Sequence, residues 1–493
     1  MTYFYYLFFL IIFGAKVAGL YDGQPAFYAC LAVGGVFYLL KMLTTKLSML
    51  DYAVTAACLG LGAIIYLSSG EKGLLLFMLM VTGAKGVGSK KVMKMAWLVG
   101  SLVYLVLIGI TCLGILPDGY HVVSKFLNTM FIRRYLGQPG SNVTHTVLFI
   151  LMAIGIALVI DKIRDYKTLI SALVVIMLLN VYLFAYTMSV TGLLSISFLA
   201  FLTLVMFGVK RIDGKVFAVL SNAVMTLIIS VSIILPMVVS GKAYEIADKI
   251  FNHRVEYAKY YLENEKITLF GSRFAPAPNG NYYLDNAFMY LFLQLGIVAF
   301  IVIIFLMFFT LNHILKDNDK GALIIFASFM FIGMSDPFLF NASFKNVIFI
   351  YTGRYLYEFL NELNLKYDLK EYRLIKWNYS LKTLNAAYDK CVSFCRNIIN
   401  YFENNALFSV IIFVVLPMLG VLIYYLWPQL YDVSLLAAGD RLAYYTESEI
   451  NLNKELNENL AVLRTGVLDG VVLAVVVSLI KYKRTEFINL LRK

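Results

Sequence analysis

Val143–Ile160 reads VTHTVLFILMAIGIALVI, Asp161–Lys167 reads DKIRDYK, and Thr168–Tyr186 reads TLISALVVIMLLNVYLFAY. Neither apolar stretch holds a Lys, Arg, Asp or Glu. Each has about the 20 residues that a helix needs to cross a bilayer. The short connection between them carries Lys162, Arg164 and Lys167. Backbone groups in lipid must find partners within their own segment, so both stretches are expected to be helices.

The same pattern recurs along the chain. Spans are expected near 3–20, 24–40, 47–68, 73–84, 95–116, 143–161, 168–186, 192–209, 216–240, 286–315, 321–335, 346–360, 407–427 and 466–480, about fourteen in all. Composition agrees: 61% of the 493 residues are hydrophobic and 15% charged, and mean hydropathy is +0.78. A soluble domain carries nearer a quarter charged residues. The expected fold is therefore an all-α polytopic membrane protein. The first span follows no basic leader and no small-residue cleavage site, so it reads as retained rather than removed.

Loop charge sets the expected orientation. With the N-terminus inside, the inner connections hold Lys41 and Lys46, then Lys85, Lys90, Lys91 and Lys94, then Lys162, Arg164 and Lys167, then Lys210, Arg211 and Lys215, then Lys316 and Lys320. The tail adds Lys481, Lys483, Arg484, Arg492 and Lys493. Basic residues concentrate on the cytoplasmic side of membrane proteins, so both termini are expected in the cytoplasm. The net charge of +12 is explained in this way. No basic run interleaved with aromatics suggests nucleic acid. Cys30, Cys58 and Cys112 lie in apolar spans and read as small buried hydrophobes. Cys391 and Cys395 fall in an inner segment, where thiols stay reduced.

Three outer segments are long: 117–142, 241–285 and 428–465. The first carries Arg133 and Arg134, with Gln138, Pro139, Gly140, Ser141 and Asn142 behind them and His145 at the next span's start. The planar fork of arginine suits phosphate oxygens. The second mixes charge on a helical pattern, with His253 and Arg254 on one turn, then Arg273, Tyr283 and Asp285. Asp285 stands where a loop enters a span, as a helix cap or as a base or sugar-binding group. The third site of interest is Met334-Ser335-Asp336-Pro337, followed by Asn341, Lys345 and Asn346. A helix stop explains Asp336. With four His and no ligand spacing, neither a metal nor another cofactor is expected.

These stretches resemble the bacterial polysaccharide repeat-unit polymerases of the Wzy type, relatives of the O-antigen ligases. Arg133-Arg134-Tyr135-Leu136-Gly137 followed by Asn142 is similar to the family's Arg, Leu-Gly, Pro-Asn pattern. Leu269-Phe270-Gly271, then Leu284-Asp285-Asn286-Ala287-Phe288 and Leu293-Gln294-Leu295-Gly296-Ile297, is similar to its Leu-Asp-Asn and Gly-Ile signature. Thr187-Met188-Ser189-Val190-Thr191-Gly192 resembles its Thr-x-Ser-Arg-Thr-Gly turn, with Val190 in place of the arginine.

The resemblance covers roughly 1–360. It implies a metal-independent multi-span glycosyltransferase body (GT-C-like) of about twelve helices. Such an enzyme joins oligosaccharide units carried on undecaprenyl pyrophosphate, at the outer face of the bacterial cytoplasmic membrane. The implied roles are pyrophosphate binding by Arg133, Arg134, Arg254 and Arg273, acceptor activation by Asp285 or His253, and sugar contact by Asn142 and Tyr283.

Beyond the body, 361–406 is expected to be a cytoplasmic linker, and 407–493 a two-span C-terminal extension around the outer segment 428–465. The extension is a candidate contact for a chain-length regulator or a flippase of the same pathway, or a lineage-specific appendage. Two alternative functions stand beside polymerisation: ligase-like transfer of finished polymer to another acceptor, and non-enzymatic flipping of lipid-linked sugar.

Overall fold

The architecture comes from a computed structural model, which describes residues 2–125, 129–251, 253–275, 283–341, 344–376, 405–446 and 453–491, with isolated residues between 386 and 401. Cys391 and Cys395 lie outside the described residues. The fold is all-α and polytopic. Among the described residues, ten helices are long and apolar enough to cross a membrane, and Thr2–Val17, Gly73–Thr82 and Lys320–Gly333 are shorter apolar helices. Lipid-facing surfaces account for exposed residues such as Leu67, Val216, Val219 and Leu227.

The sequence reading of fourteen spans needs two corrections. The span expected over 286–315 is two helices, α12 (Ala287–Leu293) and α13 (Ile297–Lys316), broken at Gly296 with φ +90°. The helix expected over 346–360 is α16 (Ile348–Lys366), which carries Arg354, Glu358 and Glu362. Those charges take it out of the apolar class.

The chain folds as two compact units. One comprises residues 1–104, 145–180 and 189–377; the other comprises 105–144, 181–188 and 378–493.

In the first unit, a buried charge network gathers the basic connections. Ser48 caps α3 (Met49–Ser69) in a reciprocal box with Asp51. Asp51 is fully buried and meets Lys85 at 2.5 Å, which also meets Glu371 at 2.7 Å. Lys41 donates to the Lys85 carbonyl at 2.7 Å. Strand β1 (Leu47–Ser48) pairs antiparallel with β4 (Glu371–Tyr372) beside them. Lys320 donates to the Val209 carbonyl, and Arg354 pairs with Asp317 at 2.9 Å. One end of the helix set therefore collects the basic loops. The helix α14 (Lys320–Gly333) leads from that end to Ser335 and Asp336 at the other.

The break at Gly296 has a partner. Ile297 and Val298 donate to the carbonyls of Thr268 and Leu269, each at 3.0 Å, and Ser272 donates to Gln294 at 3.3 Å. A Cβ on Gly296 would lie 2.3 Å from the Gly271 nitrogen, and one on Gly271 would lie 2.2 Å from the Gln294 carbonyl. Both glycines have positive φ. The two glycine-bearing motifs are thus one backbone crossing, which sets the loop before α12.

In the second unit, β2 (Tyr120–Lys125) and β3 (Thr129–Arg134) form an antiparallel hairpin in the segment read as an outer loop. The tail helices Ala406–Leu426 and Lys454–Leu491 pack together through small residues. A Cβ on Gly420 would lie 2.2 Å from the Gly466 carbonyl, and one on Gly470 would lie 2.4 Å from the α-carbon of Pro417. Close approach of this kind is how helices associate in lipid. The end of the outer segment 428–465 and the last span, read as separate, form the single helix Lys454–Leu491.

Candidate functional site

The first unit brings together Arg254, Asp285 and Asp336. Arg254 opens α11 (Arg254–Asn264). Its side chain is 9% exposed and lies 3.8 Å from Asp285 Oδ2. The guanidinium is aimed by neutral partners, donating from Nε to the Ser335 carbonyl at 2.8 Å and from Nη2 to Thr191 Oγ1 at 3.1 Å. Thr191 belongs to the turn that opens α8 (Val190–Gly208).

Asp285 does not cap α12. The adjacent Asn286 does so, accepting from the Phe288 and Met289 amides at 3.0 Å each. That leaves the Asp285 carboxylate free to face Arg254. Burial pushes its pKa up to about 6, Arg254 pulls it down, and Asp336 pushes it up further. A half-buried acid poised near neutral pH can exchange protons there.

Asp336 is a helix stop, as its sequence suggested, and also part of this cluster. Its Oδ1 accepts from the Phe338 amide at 2.9 Å and its Oδ2 from Thr146 Oγ1 at 3.2 Å. Burial raises its pKa, against the opposing effects of those two hydrogen bonds and of the Arg254 and Lys345 charges.

His145, Gly192 and Asn180 brace this region. His145 is fully buried and its Nε2 meets Asn180 Oδ1 at 2.7 Å. A Cβ on Gly192 would lie 2.3 Å from the His145 ring, so the glycine of that turn is required by packing.

The other residues singled out in the 241–285 segment are exposed. His253 has φ +66°, and its Nδ1 meets Asp248 Oδ2 at 2.9 Å and Glu256 Oε2 at 3.3 Å on the exposed surface. These three side chains offer ligand atoms within 4.8 Å of one another, a geometry able to hold a cation. Asp248 also accepts from the Glu256 amide at 2.8 Å, so hydrogen bonds within the helix start account for the grouping. Arg273 is exposed and lies against Gly70. Tyr283 is 64% exposed.

The second unit separates the two adjacent arginines. Arg134 is enclosed between Asp118 at 2.7 Å and Asp440 at 2.8 Å. Burial opposes its charge, and the two carboxylates more than restore it, so its pKa stays above the usual arginine value. Arg464 joins Asp440 at 3.5 Å and donates to the Ala185 carbonyl at 2.7 Å. Two arginines thus balance two aspartates, and Arg134 is committed to holding the hairpin to the tail.

Arg133 has no carboxylate within 4 Å among the described residues. It donates from Nε to the Thr187 carbonyl and from Nη2 to Asn142 Oδ1, both at 2.6 Å, and Nη1 lies 3.5 Å from His121 Nε2. Burial pushes its pKa down to about 10, with Tyr135 raising it. It remains a cation at neutral pH, aimed by neutral groups. Asn142 is one of those groups, which accounts for the spacing of the pair.

Sequence reasoning missed Thr146, Asp440 and Arg464 as members of these clusters, and it named Lys345 beside Asp336 without a role. Lys345 had a readable signal, a basic residue at the end of the chain's helices where basic residues are scarce. Asp440 and Arg464 had none, because their partners are remote in sequence.

The fold defines an α-helical multi-pass membrane protein, and its first unit gathers the ionisable groups Arg254, Asp285 and Asp336 at the helix ends away from its basic loops. No protein-family model, curated protein or solved structure matches the chain.

Proposed function

We propose that the protein is a glycosyltransferase that polymerises lipid-linked oligosaccharide repeat units. The substrates are oligosaccharides on undecaprenyl pyrophosphate, and the products are capsular, exo- or O-antigen-type polysaccharide at the outer face of the bacterial cytoplasmic membrane. The observation that carries this reading is the Arg254–Asp285 pair, 3.8 Å apart, with Asp336 acting on the same carboxylate, within a membrane-embedded fold.

The chemistry needs a base, a leaving-group stabiliser and a positioned acceptor. Asp285 takes the proton of the acceptor hydroxyl, whose oxygen attacks the anomeric carbon of the donor. The bond from that carbon to the pyrophosphate oxygen breaks, and the electron pair leaves with the lipid pyrophosphate. Arg254 supplies the charge that stabilises the departing oxygen. Thr191 and the Ser335 carbonyl hold the guanidinium in place before substrate arrives. Arg133 is a second cation of the right kind, whereas Arg134 is occupied by its two aspartates.

Deletion followed by analysis of lipid-linked sugars and surface polysaccharide tests this. Single repeats accumulating on the carrier, with polymer restored by the wild-type chain but not by Arg254→Ala or Asp285→Asn, is the expected result. Finished polymer stranded on its lipid indicates a ligase instead. Single repeats trapped on the inner leaflet indicate a flippase.

A further inference from the structure

Lys345 stands at the edge of the Arg254–Asp285–Asp336 cluster, close enough for its charge to act on Asp336. It is 7% exposed. Among the described residues no carboxylate lies within 4 Å of its ammonium and no side chain or carbonyl accepts from it. The charged groups that act on it are Lys16 and Asp336. Lys16, on the last turn of α1 (Thr2–Val17), is 8% exposed and also has no carboxylate within 4 Å among the described residues. Its ammonium sits 4.1 Å from the centre of the Phe27 ring.

The turn that carries Lys345 is fixed. Phe344, at φ +68°, packs its ring against Phe8 and Phe9 of α1 at 5.2 and 5.7 Å between ring centres. Asn346 is fully buried; it donates to the Leu339 carbonyl at 2.8 Å and accepts from the Ile348 amide at 3.1 Å. The lysine is therefore bracketed on both sides by anchored residues.

An enclosed ammonium that lacks a partner is costly to maintain. In membrane proteins such groups mark ligand or ion sites by default. The sign of the missing ligand follows from the charges present. Lys16, Lys345 and Arg254 are cations. Asp285 and Asp336 are the acids of the cluster and Asp22 acts on Lys16, and burial draws the two lysines as well as Asp285 and Asp336 toward their neutral forms. Among the described residues neither Asp22 nor Asp336 comes within 4 Å of the two ammonium groups, so their donors face no carboxylate. A lysine offers a compact point charge with three donors, a common partner of phosphate oxygens.

We infer that Lys345, with Lys16 beside it, binds a phosphate ester, and that the ester belongs to the lipid-borne substrate of the Arg254–Asp285 site. The identity of the ester rests on the proposed function; the anion site itself rests on two enclosed lysines with no carboxylate within 4 Å among the described residues.

The test uses the full chain, purified and placed in phosphatidylcholine nanodiscs, with thermal unfolding followed as ligand is added. The probes are inorganic pyrophosphate, undecaprenyl phosphate and phosphatidylglycerol. Wild type is expected to gain stability with pyrophosphate and with undecaprenyl phosphate. Lys345→Met should weaken both responses at least ten-fold, Lys16→Met several-fold, and Lys345→Arg should keep most of the response. Unchanged responses in both Met variants would overturn the site. Should Lys345→Met not fold, Lys16→Met and Lys345→Arg decide by the same comparison, and equal binding in wild type and Lys16→Met counts against the pair. A response to phosphatidylglycerol alone would overturn the assignment to substrate and make the ligand a bilayer headgroup. The assay needs no turnover, so a Lys345-dependent response alongside normal polymer from Arg254→Ala cells would sink the proposed function and leave the anion site standing.

Discussion

Arg254 and Asp285 face one another at 3.8 Å, longer than a hydrogen bond and short enough for each charge to act on the other. The gap follows from the competition for partners around them. Arg254 spends its donors on Ser335 and Thr191, and Asn286 relieves Asp285 of capping α12. The pair therefore stays open at that distance, with each charge acting on the other across the gap.

Asp285→Asn should lower the transfer rate at least ~100-fold, the scale of a lost general base, with protein abundance unchanged. The wild-type rate should rise as pH increases through about 6, where the carboxylate ionises. The sign for stability is opposite. A carboxyl whose folded pKa is raised favours folding most below its unfolded pKa, and that contribution is lost as pH rises through the folded value. Initial rates and unfolding midpoints measured from the acid side of this value to the alkaline side check both; a rate limb near 6 that persists in Asp285→Asn would assign it to another group.

Arg134 and Asp440 should behave as structural residues. Both are buried, and removing one partner of a buried pair leaves the other charge uncompensated, at about 3–5 kcal/mol. Arg134→Ala and Asp440→Ala are each expected to lower the unfolding temperature. Because Asp118 also meets Arg134 and Arg464 also meets Asp440, the double variant should cost less than the two single losses summed. Unfolding curves of the three variants in one detergent are the measurement. Strict additivity would show that the two residues do not act together.

The apolar runs and the basic connections were legible because span length and loop charge are local properties of the chain. The glycines of the Leu269-Phe270-Gly271 and Leu295-Gly296-Ile297 motifs were visible too, though not that each exists to let the other's backbone approach. Asp285 was legible as a boundary residue, but Asp and Asn are equally good caps, and nothing local says which of two neighbours takes the helix. The commitment of Arg134 was not legible, since Asp440 lies 306 residues away and no spacing rule reaches that far. Adjacent arginines invited one shared role; alternation along β3 gave them different surroundings.

Gly296→Ala should destabilise the first unit more than an ordinary glycine substitution. The position has φ +90° and its new Cβ would meet Gly271 backbone at 2.3 Å, where no side chain can yield. The cost adds positive-φ strain to a backbone clash. Gly60→Ala, in α3 with nothing within 4 Å of its Cβ, is the control and should be neutral or mildly stabilising. Yield of folded protein after detergent extraction separates them, and equal yields would mean that the crossing does not set the α12 loop.

Arg133 offers the sharpest contrast with its neighbour. Its fork is held by Thr187 and Asn142, neither of them charged, so its removal leaves no orphaned ion. Arg133→Gln should therefore leave the unfolding temperature near that of wild type, whereas Arg134→Gln should not. A guanidinium aimed by neutral acceptors is suited to receive an anion, and charged hydrogen bonds are worth about 1.5–3 kcal/mol each. Loss of Arg133 is expected to reduce transfer by at least ten-fold, and Asn142→Ala by less, since it removes one of the groups that aim the fork and leaves the charge. Arg133→Lys should recover part of the rate, because the charge survives and the two-pronged geometry does not. Polymer yield and unfolding temperature, read side by side for the four variants, decide the matter: a fall in stability for Arg133→Gln equal to that of Arg134→Gln would mean that both arginines are structural.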